Sequence, residues 1–139
     1  MDLLTAALRD YGIAELAGSA ASPDIMAMAA ALEVGSAYPS DETPWCGLAM
    51  AHWVTSAGGT PPGGFLAARS WLSWGQSVDK PSLGDVCVLW RVSPTGWNGH
   101  VALFISQRDG HLFLLGGNQG DRVSIARFPA AQLLGVRRG

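Results

Sequence analysis

The chain has 139 residues, a formal net charge of −2, and a composition that is 48% hydrophobic and 14% charged. This length predicts a single domain over 1–139 that can bury enough surface to fold without disulfides or a structural metal. The composition excludes global disorder, and the sequence lacks the run of about 18 apolar residues that a membrane span requires. Its nine Lys and Arg residues are scattered, which argues against a nucleic-acid partner.

The first half of the chain predicts helices, because its apolar residues recur at helical spacing. Ser22 followed by Pro23 is a start signal in which the serine is the N-cap and the proline is the first helical residue. Thr43 and Pro44 repeat this signal, and glycines end the helices. The predicted helices are Leu3–Asp10, a second from Ser22 to Gly35, a third from Thr43 to Gly58, and a fourth over Leu66–Trp74.

The second half predicts short strands, which are rich in β-branched and aromatic residues. Arg108-Asp109-Gly110 is a hairpin signal between two of them. The expected fold class is therefore α+β, with N-terminal helices packed on an antiparallel sheet of about five short strands. The predicted strands are Val86–Trp90, His100–Ser106, His111–Leu115, Val123–Phe128 and Leu134–Arg137.

Cys46 is the first candidate for chemistry. With Thr43 as the N-cap, it lies in the first turn of the third helix, where free N–H groups and the helix dipole favour a thiolate. The alternative is a buried cysteine that packs as a small apolar side chain. Cys87, inside the strand Val86–Trp90, is expected to be such an inert thiol.

His100 and Asn118 are candidates for the partners of a nucleophilic thiol. His100 opens an apolar strand, and Asn118 follows the strand that the hairpin places antiparallel beside it. An amide oxygen bonded to one imidazole nitrogen fixes the tautomer and leaves the other nitrogen for the thiol. Alternatively, His100 is a surface residue at a strand end and Asn118 is an ordinary turn residue.

Several motifs together carry a family resemblance. The chain resembles the papain-like NlpC-type and CHAP-type cell-wall peptidases, in particular a compact phage-type branch marked by a Trp-Cys nucleophile and a Gly-Gly-Asn-Gln turn. The similarity covers most of the chain. The segments that carry it are Asp41–Gly47, Ala68–Trp71, Pro81–Val86, Gly99–Ala102 and Leu115–Asp121.

The resemblance implies a role for each matching residue. Cys46 is expected to be the nucleophile, His100 the general base and Asn118 the residue that orients it. Gly47 departs from the alanine or serine of many relatives, and we expect it to let a substrate carbonyl approach the backbone. Asp85 is expected to be structural. The residues expected to contact substrate are Trp45, Trp97 and Gln119, with Trp97 stacking on a sugar or peptide face.

The implied function is peptidoglycan hydrolysis, by a cysteine endopeptidase or amidase that cleaves an amide of the stem peptides. We expect a phage endolysin or a virion-associated tail peptidase, with phage tail or lysis proteins as further partners. The alternatives are a non-enzymatic cell-wall binding module on the same fold and a secreted antibacterial amidase. No metal is expected, because the cysteines and histidines lack zinc spacing, and no cofactor is expected.

The expected location follows from the start of the chain. Met1-Asp2-Leu3-Leu4 lacks the cationic segment and long apolar core of a signal peptide. We therefore expect synthesis in the cytoplasm and action at the bacterial cell wall, reached through a lysis system, a phage-like particle or a secretion machine.

Overall fold

Helices precede strands in the computed structural model, which describes residues 1–14, 22–33 and 45–139. Among these residues, no helix combines the length and apolar character needed to cross a membrane. The helices are α1 (Leu3–Arg9), α2 (Pro23–Ala31) and α3 (Cys46–Ser56), with 3₁₀ helices at Ala68–Ser73 and Ala130–Gln132. The strands are β1 (Gln76–Ser77), β2 (Val86–Trp90), β3 (Gly99–Arg108), β4 (His111–Gly116), β5 (Ser124–Pro129) and β6 (Leu133–Arg138).

The strands form one antiparallel sheet in the order β1-β6-β2-β3-β4-β5. The predicted α+β class is confirmed, and each predicted strand is present with its ends within two residues. The sheet has six strands instead of about five, because Gln76 and Ser77 pair with the end of β6. A two-residue strand is too short to show an alternating pattern in the sequence.

The helix starts and ends agree less well with expectation. Ser22 is the N-cap of α2, as predicted, but α2 ends at Ala31, and the expected end at Gly35 lies outside the described residues. Trp45 is the N-cap of α3, which begins at Cys46; Thr43, the expected N-cap, also lies outside the described residues. The predicted fourth helix is a single 3₁₀ segment, Ala68–Ser73.

The sheet buries side chains on both faces. Because side chains alternate along a strand, β2 and β3 contribute to two separate cores. Val88 and Val101 face α3 and pack with Cys46, whereas Leu89 and Ala102 belong to the second core on the opposite face. Strand register therefore decides which face each candidate residue reaches.

Asp85 joins the start of β2 to the end of β6. Its carboxylate accepts two hydrogen bonds of 2.7 Å from the Arg138 guanidinium and one of 2.8 Å from the Ser82 N–H. Burial opposes ionisation of Asp85, but the bonds from Arg138 and Ser82 outweigh it and lower the pKa of the carboxyl. The expected structural role of Asp85 is confirmed.

We predict that Asp85→Asn lowers the free energy of unfolding by about 1–3 kcal/mol, because it weakens charge-assisted hydrogen bonds at a buried position. The lowered pKa of Asp85 means that its contribution is present above the unfolded pKa of about 3.9 and is lost as the pH falls through the folded value. Urea unfolding at pH 7 and pH 3 measures both effects. The control Asp109→Asn, at an exposed turn, should still lose stability between pH 7 and pH 3, as wild type does. An Asp85→Asn variant with the same free energy of unfolding as wild type at both pH values would contradict the assignment.

Candidate active site

Cys46 is the first residue of α3, and 7% of its surface is exposed. The backbone N–H groups of Val101, Gly47 and Cys46 itself lie near the thiol sulfur and favour its ionised form. Burial nevertheless raises the pKa of Cys46, and these N–H groups and the charge of Arg91 only partly offset it. The helix N-terminus favours a thiolate, as expected, but desolvation outweighs it and keeps the resting thiol protonated.

Cys87 lies on the second face of the sheet, in β2. Burial, together with the nearby Asp85 charge, raises the pKa of Cys87 to about 12. Cys87 is thus a fully buried thiol that stays protonated at neutral pH, and the predicted burial of this cysteine is confirmed. It provides a matched control for Cys46, because both are free, buried cysteines.

His100 is buried near the start of β3, with 1% of its surface exposed. Its ring stacks on Phe128 at a centroid distance of 5.0 Å, and its Nε2 lies 2.9 Å from Oε1 of Gln119. Burial lowers the pKa of His100 to about 4; the Gln119 bond opposes this shift and the Arg91 charge adds to it. The imidazole is therefore neutral at pH 7.

Gln119 determines which imidazole nitrogen carries the proton. Its amide nitrogen donates to the carbonyl oxygens of Leu114, at 3.0 Å, and Ser124, at 2.7 Å. The amide oxygen must then face His100, and an oxygen can only accept, so the proton is on Nε2 of the imidazole. Nδ1 holds the lone pair, and this buried atom has no hydrogen-bond partner among the described residues.

The two glycines of the Gly-Gly-Asn-Gln turn allow close packing around this bond. A Cβ at Gly116 would lie 2.7 Å from Oε1 of Gln119 and 2.8 Å from Cβ of Ala102. A Cβ at Gly117 would lie 2.8 Å from atoms of Ala49 and Trp45. Gly116 thus makes room for the Gln119 amide, and Gly117 lets the end of β4 pack against α3.

Asn118 has a backbone role in the same turn. Its φ is +61°, in the left-handed region that asparagine tolerates, and its side chain makes no hydrogen bond to the described residues. The end of β4 does approach the start of β3, as predicted, but the amide that reaches His100 is that of Gln119. The structure therefore assigns the orienting position to Gln119 in place of Asn118.

The expected substrate contacts differ widely in accessibility. Trp45 is fully buried and Gln119 is 5% exposed, so neither presents a surface to a substrate in this structure, whereas Trp97 is 83% exposed. A Cβ at Gly47 would collide with the carbonyl oxygen of Phe65 and lie 2.9 Å from that of Leu66. The space beside Gly47 is filled by the chain's own backbone, which corrects the expectation that it admits a substrate carbonyl.

Cys46 and His100 are neighbours through the backbone, not through their side chains. The sulfur lies near the N–H of Val101, the residue after His100, yet neither imidazole nitrogen bonds the sulfur. Strand alternation is the cause: His100 pairs with Leu89 and stacks on Phe128 in the second core, while Cys46 packs in the core under α3. The two groups lie on opposite faces of the sheet.

A cleft of about 590 Å³ lies at the other end of α3, lined by residues that include Val54, Trp74, Asp85 and Arg138. It contains neither Cys46 nor His100. In the described ranges, no group of three or more His, Cys, Asp or Glu residues could hold a metal ion. No protein-family model matches the chain, and no curated protein matches it significantly.

We predict that His100 makes the fold acid-sensitive in a defined pH window. Its folded pKa of about 4 is below the unfolded value of about 6.5, so its stabilising contribution is present above pH 6.5 and is lost as the pH falls towards 4. The free energy of unfolding should fall by up to about 1.4 kcal/mol per pH unit in that window.

Urea unfolding between pH 7 and pH 4 measures this slope. His100→Gln should flatten it, whereas His111→Gln, in the β3–β4 hairpin, should retain it. The same slope in wild type and His100→Gln would show that His100 titrates normally in the folded protein.

Proposed function

We propose that the chain is a peptidoglycan hydrolase with a papain-like core, in which Cys46 attacks an amide carbonyl and His100 is the base. One observation carries the proposal: the Cys46 sulfur, at a helix N-terminus, lies near the N–H of the residue that follows His100, and this N–H favours the ionised sulfur. The Nε2 of that histidine is anchored on an amide oxygen, and its Nδ1 lone pair is available as a base. These are the residue types of a Cys-His-amide triad.

The reaction follows from these atoms. Nδ1 of His100 accepts the thiol proton while the sulfur forms a bond to the amide carbonyl carbon, which gives a tetrahedral oxyanion. The backbone N–H groups of Cys46, Gly47 and Val101, which favour negative charge on the sulfur, are the donors we assign to that oxygen. His100 returns its proton to the leaving nitrogen as the C–N bond breaks, and a thioester remains on Cys46. Water, deprotonated by His100, hydrolyses the thioester and restores the thiol.

Both groups are neutral at rest, so proton transfer belongs to the catalytic step and does not precede it. Transfer requires His100 Nδ1 to reach the Cys46 sulfur, and hence a rearrangement at the start of β3 when substrate binds. β3 pairs with β2 from Gly99, but with β4 only from Leu103, so the described strands pair with the start of β3 along one edge only. Catalytic hydrogen bonds often form only in the substrate complex.

A second candidate is a non-enzymatic cell-wall binding module on the same fold. The observation that favours it is the position of Cys46 and His100 on opposite faces of the sheet, without a hydrogen bond between them. The biological setting of the leading proposal is synthesis in the cytoplasm and action at the cell wall, as a phage endolysin or a virion-associated tail peptidase. A secreted antibacterial amidase is the alternative setting.

We predict that the protein releases new amines and carboxylates from purified peptidoglycan, and that Cys46→Ala abolishes this release. Mass spectrometry of the soluble fragments identifies the amide that is cleaved. Cys87→Ala is the matched control and should retain activity, because its thiol is fully buried in the second core and away from a helix N-terminus. Activity in a folded Cys46→Ala variant would refute the mechanism, and binding without any cleavage by wild type would favour the binding module.

A further inference from the structure

One guanidinium group holds the loop between β2 and β3. Arg69, in the 3₁₀ helix, donates from Nε to the Asn98 carbonyl at 2.9 Å and from Nη1 to the Pro94 carbonyl at 2.8 Å. Its Nη2 donates to the carbonyls of Ser93 and Asn98, both at 2.7 Å. The four bonds reach three carbonyls along the loop, so Arg69 fixes the loop's shape as well as its position.

The same arginine packs on the residue before His100. A Cβ at Gly99 would lie 3.1 Å from Cγ of Arg69 and 2.9 Å from the Leu89 carbonyl oxygen. Because Gly99 has no side chain, the aliphatic part of Arg69 packs directly against the backbone at the start of β3. The loop that Arg69 holds begins where β2 ends and finishes beside the candidate base.

This loop presents two apolar side chains to solvent. Val92 is 87% exposed and Trp97 is 83% exposed, the highest values among the large apolar residues of the described chain. Val92 also has a φ of +67°, a conformation that β-branched residues rarely adopt. A strained, firmly bonded loop that exposes an indole has the features of a preorganised contact surface.

The chemistry of the loop favours a neutral partner. Arg91, directly after β2, is the charged residue of this loop; from 92 to 98 its sequence, Val-Ser-Pro-Thr-Gly-Trp-Asn, has hydroxyl and amide groups and no charged side chain. An indole stacks on the C–H face of a pyranose ring, and hydroxyl and amide groups hydrogen-bond sugar hydroxyls and acetamido groups. Of the two parts of peptidoglycan, the N-acetylated glycan is neutral, whereas the stem peptide carries carboxylates.

We propose that residues 92–98 form a saccharide-binding ledge, in which Trp97 stacks on an N-acetylhexosamine ring and Arg69 is the positioning residue. This inference rests on the proposed function and adds to it a site that binds the glycan part of peptidoglycan. Because the ledge leads directly into Gly99 and His100, the sugar lies next to the scissile amide. Stem peptides still attached to glycan are then better substrates than free stem peptides.

Saccharide binding is tested apart from cleavage by titrating the wild-type chain with tetra-N-acetylchitotetraose, which has no peptide bond, and measuring Kd by calorimetry. Trp97→Ala should weaken binding about three- to tenfold, and Trp97→Phe should weaken it less because a smaller ring still stacks. Leu83→Ala, which removes another exposed apolar side chain, should leave Kd unchanged. Equal binding by wild type and Trp97→Ala would overturn the proposal.

The positioning role of Arg69 is tested by a double-mutant cycle. The single nitrogen of a lysine cannot replace the three guanidinium nitrogens that hold the loop carbonyls. Arg69→Lys should therefore weaken saccharide binding, as Trp97→Ala does. In the Trp97→Ala background, Arg69→Lys should weaken binding less than it does in wild type, because part of its effect passes through the indole. Fully additive losses would mean that Arg69 acts independently of Trp97 and would overturn its assignment as a positioning residue.

The same variants separate this inference from the proposed function. On peptidoglycan, Trp97→Ala and Arg69→Lys should raise KM while kcat is largely retained. Saccharide binding without peptidoglycan cleavage would support the ledge and refute the hydrolase. Cleavage by a chain that does not bind the tetrasaccharide would support the hydrolase and refute the ledge.

Discussion

The bond between Gln119 and His100 is the constraint on which the candidate site depends. The Gln119 amide is held by two carbonyls, from Leu114 and Ser124, which leaves only its oxygen to face the imidazole. The tautomer of His100 is thus set by β4 and the start of β5, not by the histidine's own strand. Gly116 is part of the same constraint, because any side chain there would occupy the position of the amide.

Desolvation sets the resting protonation state of both Cys46 and His100. It raises the pKa of Cys46 although nearby backbone N–H groups favour the ionised sulfur, and it lowers the pKa of His100 although Gln119 bonds the ring. A buried ion pair would need close mutual geometry to offset the loss of hydration, and the two side chains lie on opposite faces of the sheet. In the proposed mechanism, substrate binding supplies that geometry.

The sequence predicts those features that a local pattern encodes. Runs of β-branched and aromatic residues locate the main strands, and the hairpin signal explains why the end of β4 lies near the start of β3. Long-range packing has no such pattern: only the structure shows that Gly47 touches the backbone of a distant segment and that Trp45 is fully buried. Which of the two amides, Asn118 or Gln119, bonds His100 depends on the backbone conformation of residue 118. With residue 118 in the left-handed region, the longer side chain of Gln119 reaches the Leu114 carbonyl in β4 and the His100 ring.

The tautomer of His100 tests the central claim most directly, because both the base and its orienting residue depend on it. Two-dimensional ¹⁵N NMR of the imidazole at pH 7 distinguishes a protonated nitrogen from one with a lone pair. The account predicts a neutral ring with the proton on Nε2 and the lone pair on Nδ1, unchanged in Asn118→Gly and lost in Gln119→Leu. A proton on Nδ1, or a charged ring at pH 7, would contradict the assignment of Gln119 as the orienting residue and of Nδ1 as the base.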